Sequence, residues 1–260
     1  DVGIAEQHAV TAAAGMALGG LKPVVALYST FLTRAIDQAN LDVGLHGAPV
    51  VFCLDRAGIT GDDGPSHHGI LDMVLLSKVP GMTVFAPSSY QDLQVMLADA
   101  IDLDGPVAIR WPKTEARNVP EHEVGVGRRG RKLRDGSDVC ILAVGKMVAA
   151  ALDAATSLEA DGISTSVWDA RCVAPLDGEM LDDAAGHPAV LTAEDGLIDG
   201  GAGESMLRHL LDRDPGLSSR VKVLGVPKRY LPHGKVDDIL AELGLDADGL
   251  ASSARALITD

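Results

Sequence analysis

Aromatic residues and long apolar runs are both scarce in this sequence. Only 3% of the 260 residues are Phe, Trp or Tyr, so a core must be built from Ala, Val, Leu and Ile. The hydrophobic fraction of 47% is sufficient for one large domain or two of ordinary size. No apolar run reaches the length that a bilayer-spanning helix requires, and the first residues do not follow the pattern of a secretory signal peptide.

Positive charge and cysteine are also in short supply. The formal net charge of -15 argues against a nucleic-acid partner, although local basic residues can still bind a small phosphorylated ligand. Cys53, Cys140 and Cys172 each lie in apolar sequence, and none belongs to a CxxC pair. This pattern predicts buried free thiols in a reducing, cytoplasmic compartment rather than a disulfide or a metal site.

Short runs rich in Val and Ile alternate with helical patterns along the chain. The predicted strands cover 22–28, 49–55, 82–87, 106–110, 138–145, 164–170, 188–195 and 221–226. The predicted helices cover 7–18, 31–44, 70–78, 89–102, 147–159, 177–185, 203–213, 235–243 and 246–258. This alternation predicts two consecutive α/β domains, each with a mostly parallel sheet flanked by helices. We place the domains at 1–120 and 121–260, because the pattern lapses in the Pro-, Gly- and charge-rich segment 111–137.

Three local features leave alternatives open. The opening "DVGIAEQ" has the pattern of a strand end, so we expect the chain to begin inside a longer protein or to be a processed or split subunit. The first helix, "AVTAAAGMAL", consists of small residues that suit close packing inside the domain or against a second subunit. A basic cluster consists of Arg128, Arg129, Arg131, Lys132 and Arg134. It fits either a nucleic-acid-binding patch or a solvated hairpin or linker, and the acidic net charge of the chain favours the second.

Polar residues follow the predicted strands of the first domain. In a parallel α/β sheet, ligands bind beyond the carboxyl ends of the strands. The residues at these ends are Glu6, Tyr28, Ser29, Thr30, Asp55, Arg56, Arg110 and Lys113, with Phe31 and Arg34 on the next helix and Asp62, Asp63, His67 and His68 in the longest loop. Each alone has an ordinary explanation, such as a helix-dipole contact, an Arg34–Asp37 pair, a turn or a cap. Their convergence favours a site, and a zinc site is the weaker alternative because adjacent histidines diverge and no further ligand has the right spacing.

Two segments of the first domain carry a family resemblance. "DVGIAEQHAVTAAAGMALGGLKPVVALYSTFLTRAIDQ" and "LDRAGITGDDGPSHHGILD" resemble the 1-deoxy-D-xylulose-5-phosphate synthase branch of the transketolase-like thiamine-diphosphate enzymes. In the second half, "DARCVAPLD", "EDGLIDGGAGE" and "YLPHG" are similar to the C-terminal domain of that family. The resemblance covers the whole chain but not the whole family protein, whose larger N-terminal domain binds the diphosphate and Mg²⁺ through a GDG…N motif that is missing here.

The resemblance implies that this chain holds the pyrimidine half of thiamine diphosphate. By this resemblance, Glu6 bonds the aminopyrimidine ring and promotes its imino tautomer, while the cofactor performs the carbanion chemistry. Phe31 resembles the aromatic residue that stacks on the pyrimidine, and Ile4 resembles the apolar residue that supports the bent cofactor. Both residues also fit an ordinary hydrophobic core.

The implied reaction condenses pyruvate with D-glyceraldehyde 3-phosphate, with loss of CO2, to give a precursor of isoprenoids, thiamine and pyridoxal. His67 and Asp63 match the acid–base and substrate-orienting positions. The positions implied for the substrate phosphate are Tyr28, Arg56, Lys113 and Arg34. Lys113 departs from the arginine common in the family and lacks its planar fork. His68 and His233 receive no chemical role.

Other interpretations of the sequence stay open. The resemblance also implies a homodimer, Mg²⁺ ligands on an N-terminal domain of the same or another chain, and weak cofactor binding by this chain alone. A β subunit of a 2-oxo acid dehydrogenase or a split transketolase subunit would begin near the same point. A non-catalytic α/β assembly module is the third reading, and the presence of Glu6, Arg56, Asp63 and His67 argues against it.

Overall fold

The computed structural model describes residues 1–259. The strands are β1 (Val24–Tyr28), β2 (Val51–Asp55), β3 (Thr83–Phe85), β4 (Val107–Arg110), β5 (Arg131–Arg134), β6 (Val139–Ala143), β7 (Thr165–Asp169), β8 (Cys172–Ala174), β9 (Ala189–Leu197) and β10 (Val221–Val226). The α-helices are α1 (Glu6–Leu18), α2 (Ile36–Gln38), α3 (Asp72–Leu76), α4 (Tyr90–Asp102), α5 (Met147–Ala160), α6 (Gly178–Ala185), α7 (Ala202–Arg213), α8 (Val236–Glu242) and α9 (Ala247–Thr259). Short 3₁₀ turns cover Ser29–Ala35, Gly61–Asp63, Glu121–Glu123 and Pro215–Ser219, and a π-helical turn covers Ala39–Gly44.

The first sheet has the strand order β1-β2-β4-β3-β8. Strands β1, β2, β4 and β3 run parallel, with Tyr28 paired to Asp55 at the carboxyl end of β1 and β2. Residues 51–54 of β2 are all buried because the strand is central and helices cover both faces. The carboxyl ends of β1, β2 and β4 therefore meet at one edge of the sheet.

The second sheet has the order β10-β9-β6-β7-β5. Strands β10, β9, β6 and β7 are parallel, and β5 closes the edge antiparallel to β7. Its buried positions are mainly Val, Leu, Ile and Ala, as the scarcity of aromatics requires. The two sheets and their helices confirm the predicted architecture of consecutive α/β units.

Strands β5 and β8 were not predicted from the sequence. The basic cluster contributes three of the four residues of β5, and Lys132 and Arg134 form ion pairs with Asp183 and Glu159. Strand β8 follows β7 in the chain, yet it pairs antiparallel with β3 of the first sheet. The two halves of the chain therefore share a sheet, and the boundary near residue 120 stays a prediction.

Several predicted elements have different bounds in the structure. The strand expected at the start of the chain is wrong, because residues 1–5 form no strand and α1 begins at Glu6. The helix predicted over 31–44 is a succession of 3₁₀, α and π turns, and the one over 70–78 is confined to α3.

Burial agrees with the predicted state of the cysteines. Cys53, Cys140 and Cys172 are buried free thiols, and burial raises the pKa of each, that of Cys172 to about 11. Between residues 1 and 259, no helix combines the length and hydropathy needed to cross a membrane.

Candidate active site

Glu6 is the buried carboxylate of the site. It is the first residue of α1 and is 7% exposed, so few of its contacts are with water. Arg34 Nη1 donates to Glu6 Oε1 at 2.8 Å, which replaces the Arg34–Asp37 pair that helical spacing suggested. Glu6 Oε2 is buried and has no hydrogen-bond partner among residues 1–259. An acceptor in this state is costly unless a ligand satisfies it.

Aromatic rings and guanidinium groups form a stack beside Glu6. The rings of Tyr28 and Phe31 are stacked, with centroids 5.8 Å apart and planes 11° from parallel. The Arg34 guanidinium carbon lies 4.6 Å from the Phe31 centroid, and that of Arg56 lies 4.0 Å from the Tyr28 centroid. The His67 ring meets Phe31 edge-on at 5.4 Å. These contacts bring five of the predicted residues, with Glu6, into one cluster.

Arg56 has an unusual backbone conformation. Its φ of 58° lies in the left-handed region, which non-glycine residues rarely adopt. Asp55 accepts hydrogen bonds from both the Arg56 backbone N–H and its Nη1. This local pairing holds the guanidinium over Tyr28 at the carboxyl edge of the sheet. Strain of this kind is commonly found at functional sites.

Loop 58–69 carries Asp63 and His67 to the same edge. Gly58 and Gly69 exchange backbone hydrogen bonds of 2.8 Å in both directions, which closes the base of the loop. Lys113 Nζ donates to both carboxylate oxygens of Asp63 at 2.9 Å. This hydrogen bonding lowers the pKa of Asp63 below its usual range. Asp63 is therefore an ionised group that can accept hydrogen bonds at the mouth of the site.

His67 is partly exposed and free to meet a ligand. Its Nδ1 lies 3.0 Å from Ser66 Oγ, and it caps no helix. After the larger effect of Lys113, nearby His67 and Arg56 also contribute to lowering the pKa of Asp63. Thr30 Oγ1 donates to the Ser66 carbonyl oxygen at 3.0 Å and ties this part of the loop to the end of β1.

A groove next to Glu6 has an apolar wall. It runs between α1 and β1 with a volume of about 380 Å³, and its lining includes Glu6, Ala9, Ala13, Met16 and Val24. Ile4 is 87% exposed near the start of α1, so the alternative that places it in the core is wrong. The groove therefore presents apolar side chains next to Glu6, and the exposed Ile4 lies two residues before it in the chain.

Arg110 ends β4 at this edge, as the sequence suggested, but its side chain belongs to a buried ion-pair network rather than to the open cluster. Its guanidinium is buried and donates from Nε to Asp72 Oδ2 at 3.0 Å and from Nη1 to Asp195 Oδ1. Burial alone would lower the pKa of Arg110, but the two carboxylates raise it. The sequence did not indicate this role, because Asp195 comes from strand β9 of the other half.

Comparisons with known proteins identify the family of both halves of the chain. A family model described as the transketolase pyrimidine binding domain matches residues 1–119, and one described as the transketolase C-terminal domain matches residues 128–250. The curated 1-deoxy-D-xylulose-5-phosphate synthase of Magnetococcus marinus is 48% identical over 99% of this chain and 42% of its own length. That of Geobacter sulfurreducens, 1-deoxy-D-xylulose-5-phosphate synthase 1, is 46% identical over 99% of this chain and 41% of its length.

A solved structure shows the same architecture. This structure is described as a split gene transketolase, inactive beta4 tetramer, and its sequence is 30% identical to this chain. The two structures superpose with a TM-score of 0.87, and the match covers 99% of this chain and 82% of the relative's chain. The chain thus spans about two fifths of the curated relatives but most of this structural relative. We conclude that the chain belongs to the transketolase family and comprises the pyrimidine-binding and C-terminal parts of such a protein.

Proposed function

We propose that the protein containing this chain condenses pyruvate with D-glyceraldehyde 3-phosphate, with loss of CO2, to form 1-deoxy-D-xylulose 5-phosphate. The observation that carries the proposal is the buried, unsatisfied Glu6 Oε2 in the cluster that contains Phe31, Arg56 and His67. Asp63 lies on the adjoining loop, paired with Lys113. The curated relatives bearing this activity in their names support it across the whole chain.

Glu6 and its neighbours fit the aminopyrimidine of thiamine diphosphate. The unsatisfied Oε2 suits a hydrogen bond with a ring nitrogen, and the Phe31 ring offers a face on which a heteroaromatic ring can stack. Ile4 and the apolar groove suit the neighbouring part of the cofactor. When bound, thiamine diphosphate supplies the carbanion chemistry of the reaction. Arg34 keeps Glu6 Oε1 occupied, so only Oε2 is available to the ring.

Asp63 and His67 are the proton-handling and orienting groups of the proposal. Asp63 is held ionised by Lys113 and accepts a hydrogen bond from a substrate hydroxyl. His67 lies at the mouth of the cleft against Phe31 and donates or accepts a proton at its free Nε2, where a new hydroxyl forms. Its Nδ1 is held by Ser66 Oγ, which fixes the ring orientation.

Cations at the same edge suit the substrate phosphate. Arg56, stacked on Tyr28, presents a guanidinium that bonds phosphate oxygens in a bidentate manner. Lys113 is a second cation, and its ammonium group can leave the Asp63 carboxylate and pair with the phosphate instead. Arg34 contributes charge as well, but one of its nitrogens is committed to Glu6.

Parts of the protein outside this chain would hold the rest of the cofactor. We propose that the diphosphate and Mg²⁺ bind an N-terminal domain of the same or another chain, that the assembly is a homodimer, and that it works in the cytoplasm. The relatives' greater length leaves room for that domain.

Product analysis tests the proposed function. The full-length protein, supplied with thiamine diphosphate, Mg²⁺, D-glyceraldehyde 3-phosphate and pyruvate ¹³C-labelled at C2 and C3, should form labelled 1-deoxy-D-xylulose 5-phosphate and one unlabelled CO2 per product. The control replaces pyruvate by a ketose phosphate. In a parallel assay with a lipoyl acceptor added, acyl transfer to that group would identify a 2-oxo acid dehydrogenase subunit. The absence of turnover in every assay would favour a non-catalytic module.

A split transketolase subunit is the second candidate. The structural relative bearing that title supports it, because this chain covers 82% of it. Transfer of a two-carbon unit from a ketose phosphate without CO2 release would establish this function and contradict the first.

A further inference from the structure

The two adjacent histidines of loop 58–69 face different surroundings. His67 is partly exposed and contacts Phe31, whereas His68 is only 6% exposed. Sequence motifs gave His68 no role. Its burial requires partners for both ring nitrogens, and the structure supplies them from different halves of the chain.

Hydrogen bonds fix the tautomer of His68. The Thr60 backbone N–H donates to Nδ1 at 3.1 Å, so Nδ1 is an acceptor and carries no proton. The proton therefore resides on Nε2, which lies 3.3 Å from the Pro232 carbonyl oxygen and donates to it. His68 thus joins the loop start at Thr60 to segment 231–236, which comes from the C-terminal half.

Backbone contacts extend this junction. Gly234 N donates to the Gly61 carbonyl oxygen at 3.4 Å, and a β-carbon at Gly61 would lie 2.8 Å from the Gly234 oxygen. A β-carbon at Gly64 would lie 3.4 Å from that of His233. Segment 231–236 therefore rests directly on the part of the loop that carries Asp63, and glycines allow the close approach.

We propose that His68 is a positioning residue that ties loop 58–69 to the C-terminal half and thereby sets the orientation of Asp63 and His67. Its consequence for catalysis rests on the proposed function. Because His68 is anchored inward at both nitrogens, the neighbouring His67 side chain is directed outward, where its ring meets Phe31 at 5.4 Å. The C-terminal half would then organise the substrate edge through this junction.

Hydrogen exchange tests the junction independently of any reaction. In the full-length protein without cofactor, backbone amide exchange is measured by mass spectrometry for peptides covering 58–69 and 229–236. His68→Ala should accelerate exchange at least tenfold in both peptides, whereas His68→Gln should stay within about threefold, because its amide can accept from Thr60 and donate to Pro232. His46→Ala, at an exposed histidine, is the control and should change neither peptide.

Two results would overturn the proposal. One is unchanged exchange in His68→Ala, and the other is acceleration of equal size in α9, which would indicate general destabilisation. If His68→Ala does not fold, His68→Asn replaces it with the same expectation, since the shorter side chain cannot span both partners.

Kinetics test the positioning role on the complete, cofactor-loaded protein. His68→Ala should raise KM for the aldehyde phosphate at least tenfold while KM for pyruvate stays within twofold, and His68→Gln should restore wild-type values. Equal effects on both substrates would contradict positioning. A wild-type protein inactive with these substrates would instead contradict the proposed function, and hydrogen exchange would still decide whether His68 joins the two halves.

Discussion

Asp169 shows how far the surroundings of a single residue determine its chemistry. This carboxylate at the end of β7 is 2% exposed and lies near Asp92, with Ser88 Oγ donating to it. Burial raises the pKa of Asp169 to about 7, and the charge of Asp92 adds to the effect, while Ser88 opposes it.

This raised pKa predicts that stability falls as pH rises. Between the ordinary Asp pKa of about 4 and about 7, the folded protein keeps a proton that the unfolded chain has lost. The folded state is therefore favoured less at pH 8 than at pH 5, by on the order of 1 to 4 kcal/mol from this residue. We expect Asp169→Asn to flatten that pH dependence, measured as the unfolding midpoint from pH 5 to pH 8.

The matched control for this prediction is Asp212→Asn, which changes an exposed carboxylate on α7. It should leave the pH profile as in the wild type. An Asp169→Asn variant that keeps the wild-type slope would show that Asp169 is ionised throughout this range.

Sequence motifs identified candidate site residues of this protein but did not indicate that Asp169 and Arg110 are buried. Glu6, Phe31, Asp63 and His67 are predictable because their types and spacings recur in a family pattern, and the structure brings them together. Asp169 and Arg110 are not, since nothing in "WDA" or "AIR" shows that partners distant in sequence bury them.

At the scale of elements, α4 is stabilised by its first turn. Ser89 Oγ accepts the Asp92 backbone N–H at 3.0 Å and donates to Asp92 Oδ2 at 3.0 Å. Asp92 in turn accepts from Arg171 Nε at 3.0 Å, so the cap of this helix is connected to the other half of the chain.

Removing this cap should destabilise the protein. Ser89→Ala leaves one amide of α4 without an acceptor and is expected to cost about 0.5 to 2 kcal/mol. Lys235→Ala, at the start of α8 where no side chain caps the helix, should cost less than about 0.5 kcal/mol. Denaturant midpoints compare the two, and equal shifts would contradict the assigned role of Ser89.

Element prediction failed where tertiary contacts decide the conformation. Strand β8 has three residues, and its partner β3 lies far away in the chain, so no local pattern marks it. The segment over 31–44 has a helical pattern, but its turns alternate between 3₁₀, α and π geometry. Longer elements such as α1 and α5 were predicted to within one residue at each end, because their periodicity extends over several turns.

At the scale of the whole molecule, buried ion pairs join the two halves. Arg110 of the first sheet bonds Asp72 and Asp195, and all three side chains are at most 1% exposed. Gly58, at the base of loop 58–69, lies against the Asp195 carboxylate, so this network also supports the candidate site.

Breaking the network should cost more than breaking a surface pair. Arg110→Met leaves two buried carboxylates without their cation and is expected to lower the free energy of unfolding by about 3 to 5 kcal/mol. Arg220→Met removes an exposed pair with Asp214 and should cost at most about 1 kcal/mol. Chemical denaturation measures both, and similar losses would refute the structural importance of Arg110.

We propose that the unsatisfied oxygen of Glu6 acts on the cofactor's pyrimidine during condensation. The most direct test compares turnover of the full-length wild type and Glu6→Gln with pyruvate and D-glyceraldehyde 3-phosphate at saturating thiamine diphosphate and Mg²⁺. We predict that the substitution lowers kcat at least 100-fold, the lower end of the contribution expected from a positioned proton-transfer group. Wild-type turnover by Glu6→Gln would contradict the account.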